Sequence, residues 1–240
     1  NGMVIGSQVN GSYGKGMHPS EWRNFPPHGI VGTTTDGKPL VAANSEHFNA
    51  RLERDTVTSS GEVRQSSVHV MRSYTFGPAS ITVNAQLGPS GADKVFALWG
   101  GPPRLRGNVT EAYEMIPFSD VAVNRRTGKK GKGATRVMAL AADGSEIGQG
   151  TDKPQPASGV LLDRHGYGAR IELEQQLPVL LGRNDTVLIQ LADKRTPAEQ
   201  IAIRYRIVPF TGKPPATPLG AAVKVEARTL KALPALGGPG

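Results

Sequence analysis

The side chains best suited to chemistry gather near the start of the chain, where Tyr13, Lys15, His18, Glu21, Trp22, Arg23, Phe25 and His28 share one Gly- and Pro-rich stretch. Ring faces, donors and a titratable imidazole together can hold a polar ring compound. Trp22 offers a stacking face, Arg23 a planar fork for a carboxylate, and His18 or Tyr13 a proton acceptor. His18 and Tyr13 are therefore the candidate catalytic residues. Trp22, Arg23, His28 and, further along, His47 are the candidate substrate-binding ones. A structural reading competes, in which Trp22 and Phe25 plug one end of the fold while His18 and Arg23 stay solvated around them. A second constellation is the stretch from Asn124 to Gly133, which sets Arg125, Arg126, Lys129, Lys130 and Lys132 among glycines. It reads as a hairpin tip whose charge is either simply solvated or contacts a polyanion.

Several other chemistries are disfavoured. The chain has no cysteine, which removes disulfides and thiolate metal sites without deciding the compartment. Its five histidines, His18, His28, His47, His69 and His165, lie far apart in sequence, and a metal site would need the fold to gather them with a carboxylate. No metal and no cofactor is expected. Phosphate loops, nucleophile elbows, zinc-protease helices and calcium loops are all absent. Glu111 and Glu114 sit three apart in a run with a two-residue period, so they point to opposite faces and cannot form the carboxylate pair of a glycosidase by themselves.

The elements that must position these residues are strands. Glu62 to Leu87 and Tyr167 to Phe210 alternate with a period of two, and in the first of them Val68, Val70, Arg72, Tyr74 and Phe76 share one face. Thirty glycines and nineteen prolines punctuate the chain, and helical periodicity with caps is nearly missing. Strands are expected near 3–9, 29–34, 40–44, 48–57, 63–76, 80–87, 94–99, 110–116, 136–141, 159–163, 169–173, 186–191 and 199–208. Turns are expected at Asp36-Gly37, Gly77-Pro78 and Asp143-Gly144, and a long loop over 148–158. The fold class is all-β, a large two-sheet antiparallel β-sandwich spanning 1–210. A Pro/Gly-rich linker, an edge strand near 223–227 and a tail occupy 211–240.

Lysine and arginine number 28 against 20 acidic residues, a formal charge of +8. That excess steers polyanions toward the surface. With five Tyr, six Phe and two Trp scattered rather than laddered, nucleic acid is disfavoured and an acidic polysaccharide fits better. No apolar run reaches the ~18 residues of a membrane span. The chain opens at Asn1 without a leader, which is expected of a trimmed protein or of a fragment with a further domain ahead of it.

The runs Arg72 to Val83, Thr110 to Phe118, Gly168 to Leu173 and Asp185 to Leu191, together with Met17-His18-Pro19-Ser20-Glu21-Trp22-Arg23-Asn24-Phe25-Pro26, resemble the β-sandwich of polysaccharide lyases of the heparinase and chondroitin or hyaluronate lyase type. That sandwich is galactose-mutarotase-like, a supersandwich. The resemblance implies a secreted, extracellular or periplasmic, carbohydrate-associated module that binds or acts on uronate-containing polysaccharide. It places part of any lyase site in a helical domain outside this chain. The chemistry so implied is β-elimination, in which a cation or amide neutralises the uronate carboxylate and Tyr or His removes the adjacent proton. An intact lyase or sugar epimerase is one alternative, and a structural or adhesion sandwich is another.

Overall fold

The computed structural model describes residues 29–37, 39–41, 45–63, 68–89, 108–117, 136–149, 153–163, 167–181 and 186–215. Strands run in chain order as β1 (Gly29–Thr34), β2 (Pro39–Val41), β3 (Ser45–Glu53), β4 (Thr56–Val63), β5 (Val68–Phe76), β6 (Ile81–Pro89) and β7 (Asn108–Pro117). They continue as β8 (Arg136–Leu140), β9 (Glu146–Gln149), β10 (Gln155–Asp163), β11 (Tyr167–Leu181), β12 (Thr186–Ala192), β13 (Thr196–Pro197) and β14 (Ala202–Thr211). Among the described residues the helical content is a single 3-10 turn, Ala198–Gln200. The expected all-β architecture is present.

Every strand pairing is antiparallel, and all fourteen strands belong to one hydrogen-bonded sheet with the path β2-β1-β7-β12-β11-β14-β6-β5-β4-β3. The layers of the sandwich are halves of that sheet, curled over one another. A cross-sheet contact requires the curl: β7 and β5 are five strand spacings apart along the path, about 24 Å if the sheet were flat. Yet Arg72 on β5 hydrogen-bonds Glu114 on β7 at 2.5 Å. The fifteen-residue β11 makes the corner. Its first half, Tyr167 to Leu173, pairs with β14, and Val179 to Leu181 pair with β12. Between them the polar run Glu174, Gln175 and Gln176 is exposed, where the register against β10 shifts.

The alternation identified in the sequence decides which side is buried. Val68, Val70 and Tyr74 of β5, Val83, Ala85 and Leu87 of β6, Ile203, Tyr205 and Ile207 of β14, and Ala112 and Ile116 of β7 all join one apolar core. Turn chemistry is as expected too. Gly37 (φ 76) and Gly144 (φ 84) take the left-handed backbone their turns need, closed by Gly37 N–H to Thr34 O at 2.9 Å and Gly144 N–H to Ala141 O at 3.0 Å. Gly77 N–H donates to Ser80 O at 2.8 Å in the β5–β6 hairpin.

Three expectations need correction. The strand expected over 48–57 is cut by a turn at Arg54-Asp55, where Arg54 adopts φ 53 and lets β3 and β4 fold together as a hairpin. The run expected as a single strand over 63–76 belongs to two strands, with Val63 ending β4 and β5 starting at Val68. The loop expected over 148–158 contains the end of β9 and the start of β10, because Ala157 and its neighbours pair with the far half of β11. The strands expected at 3–9, 94–99 and 223–227 lie outside the described residues.

Candidate functional site

Glu114 lies in the apolar stripe of β7 between Ala112 and Ile116, and directly across from it on the neighbouring strands are Ile30 and Ile189. All three of Glu114, Ile30 and Ile189 are 0% exposed. A carboxylate in such a place must be paired and hydrogen-bonded. Arg72 Nη2 donates to its Oε1 at 2.7 Å and its Oε2 at 2.5 Å, and the Tyr205 hydroxyl donates to Oε1 at 2.7 Å. Arg72 is itself held by Tyr74, whose ring centroid is 5.8 Å from the guanidinium carbon and whose hydroxyl accepts from Nη1 at 3.4 Å. Burial opposes the charge on Arg72, but Glu114 with the two phenolic oxygens outweighs it and holds its pKa well above the ordinary value. Burial first, and then the charge of Glu114, push the Tyr205 phenol well above 10.0.

A second ionic cluster occupies the opposite face. Ala169, Ile171 and Leu173 of β11 face the core, so Arg170 and Glu172 project from the other side, where both are nonetheless buried. Glu172 lies directly across from Arg206 on β14. It accepts hydrogen bonds from Arg206 Nε at 2.8 Å, from Arg206 Nη2 and from Arg170 Nη2. Arg170 Nη1 donates to the Pro215 carbonyl at 2.6 Å, which ties the chain beyond β14 to this face. Met138, Leu140 and Leu161 form a small apolar cluster beside the ions, with Phe210 packed on it, and Leu161 stands directly opposite Arg170.

Both clusters are closed. Glu114 has its two oxygens occupied and no exposed surface, and Glu172 is enclosed between two guanidinium groups, so neither is presented to a substrate. Their arrangement braces the fold: one ties the two layers together through the core, the other ties the corner strand to β14 and to the exit segment. Sequence reasoning did not single out either cluster, although the signal was there. Arg72 is in phase with Val68, Val70 and Tyr74, Glu114 with Ala112 and Ile116, and Tyr205 with Ile203 and Ile207. Opposite charges on two apolar faces are a pairing signal.

Of the residues singled out from the sequence, Tyr13, His18, Trp22, Arg23 and His28, and Arg125, Arg126, Lys129, Lys130 and Lys132, lie outside the described residues. His47 falls within β3. Glu111 and Glu114 do point to opposite faces, the first exposed and the second buried. Glu111 pairs with Tyr113, whose phenol is raised above 10.0 by burial, by that hydrogen bond and by the charges of Glu111 and Asp193. No group of three or more histidine or acidic side chains that could hold a metal occurs among the described residues. Phe76 and Leu52 are large apolar side chains exposed to solvent, 49% and 69% respectively. Phe76 N–H donates to Asp55 O at 2.8 Å, which fixes the β3–β4 turn beside the end of β5.

No protein-family model matches the chain, and no curated protein matches it. Solved structures do. It is similar to a putative aldose 1-epimerase from Escherichia coli K12, with a TM-score of 0.39 and 9% identity over 76% of this chain and 84% of that one. It is also similar to a GH36 α-galactosidase from Geobacillus stearothermophilus, with a TM-score of 0.37 and 12% identity over 78% of this chain and 30% of the enzyme. The class that the fold defines is a curled, all-antiparallel β-sandwich.

Proposed function

We propose that this chain is a carbohydrate-associated β-sandwich module that binds acidic, uronate-containing polysaccharide outside the cytoplasm, and that its kinship is with the sandwich portion of polysaccharide lyases. The observation that carries the reading is the cation excess and its placement. The ion pairs of the described residues consume glutamates almost one for one, as Arg72 with Glu114, Arg51 with Glu53, Arg136 with Glu146, Arg204 with Glu174, and Arg170 and Arg206 with Glu172. Nearly all of the +8 excess is therefore left unneutralised by them. A surface of that sign concentrates polyanions. The closed state of both buried clusters supports a binding role for the described sheet in place of a catalytic one, and the Arg125–Lys132 stretch is the proposed polymer contact.

The test is retention on immobilised polymers. Uronate polymers should bind at low salt and release as salt shortens the Debye length from about 10 Å at 0.1 M toward about 3 Å at 1 M. Neutral glucans should not bind under either condition. Equal retention of neutral and acidic polymers would overturn the reading. Release of an unsaturated uronide, followed by its ultraviolet absorbance, would move the chain from binding module to lyase.

A further inference from the structure

β3 ends the sheet path, and among the described residues no strand pairs with its outer edge. Asn49, Ala50, Arg51, Leu52 and Glu53 are all exposed, and β4 beneath them is only half-buried from Thr56 to Ser60. The two strands form an arm with an open row of backbone donors and acceptors. A nine-residue strand of that kind is a template for another strand.

The sequence of β3 is complementary to itself read backwards. A two-fold axis normal to the sheet at Ala50 sets Ala50 against its own copy, Asn49 against Arg51, Phe48 against Leu52 and His47 against Glu53. Apolar meets apolar, amide meets guanidinium and imidazole meets carboxylate, with the smallest side chain on the axis. The two-residue period allows the axis to move only by whole residues. Moved to Arg51, it opposes Arg51 to itself and Phe48 to Arg54. Moved to Asn49, it opposes Arg51 to His47 and Leu52 to Glu46. The register shift of β3 against β4 between Glu46 and Asn49 bounds the pairing at the other end.

We propose that β3 pairs edge to edge with β3 of a second copy of this chain, antiparallel and centred on Ala50, to give a dimer with one continuous sheet. The chain has no cysteine, so Ala50→Cys introduces a single thiol on the axis. Under mild oxidation most of that variant should become a disulfide-linked dimer, since paired Cα atoms lie within the ~7 Å reach of a disulfide. Leu52→Cys should stay reduced, because in this register the two copies of residue 52 are about 13 Å apart. In sedimentation velocity the wild type should run as a dimer and Leu52→Lys as a monomer with its melting temperature unchanged, because Leu52 stands in solvent. A wild type that remains monomeric up to about 0.1 mM, or Leu52→Cys linking as fast as Ala50→Cys, would overturn the proposal.

Discussion

Removing the guanidinium of Arg72 tests whether the two layers are held together through a buried ion pair. Arg72→Met leaves the Glu114 carboxylate at 0% exposure with Ile30 and Ile189 on either side and only the Tyr205 hydroxyl still donating to it. Breaking a buried pair from one side costs about 3–5 kcal/mol, a large share of a domain's total stability. In a chain of this length each kcal/mol moves the melting temperature by about 2–4 °C, so the single variant should melt roughly 6–20 °C lower. Arg72→Met combined with Glu114→Gln should recover most of that loss. The amide oxygen still accepts from Tyr205, no charge is buried, and Met fills the stem of the arginine. Thermal and urea unfolding of the two single variants and the double variant, followed by circular dichroism in the strand region, gives the coupling energy directly. A loss below about 1 kcal/mol for Arg72→Met, or a double variant whose loss equals the sum of the singles, would show that the pair does not join the layers.

Tyr205 predicts an alkaline limit. Its folded pKa lies well above 10.0, so its contribution is complete below pH 10, where the unfolded phenol also keeps its proton, and is lost as pH rises toward the folded value. Spectrophotometric titration of the five tyrosines should leave one silent until the protein unfolds, and Tyr205→Phe should abolish that silent phase; five reversible titrations in the native protein would contradict it. Trp22→Ala separates plug from stacking face. As a plug it costs about 3–5 kcal/mol, and as a sugar platform it leaves the melting temperature nearly unchanged while uronate affinity falls. Measuring both on one preparation decides, and stability loss with intact affinity would end the binding reading of that stretch.

Strand phase was legible from the sequence because the physics that sets it is local. Side chains alternate across a strand whatever the strand pairs with, so the faces of β5, β7 and β14 followed from residue order alone. Strand limits were less legible where the competing term was a turn without glycine, as at Arg54-Asp55. A non-glycine residue at φ 53 leaves no mark in composition, and the hairpin that rewards it forms only when β4 and β5 pair. The corner in β11 was equally hidden, since Glu174-Gln175-Gln176 reads as surface whether or not the strand bends there.

The ionic clusters mark a different boundary. The sequence places Arg72 and Glu114 each on an apolar face, and a buried charge without a partner is too costly to survive, so a partner of opposite sign had to exist. Which partner it is depends on how far the sheet curls, and no local pattern carries that information. The reverse inference is the stronger one. Once the two faces are known to be buried, only a curl that brings the third strand of the path against the eighth satisfies both charges, and Tyr205, in phase with Ile203 and Ile207 on the strand that lies between them, takes up the oxygen that Arg72 leaves partly free. The buried charges thus select one closure of the sheet among the many that its apolar faces alone would permit.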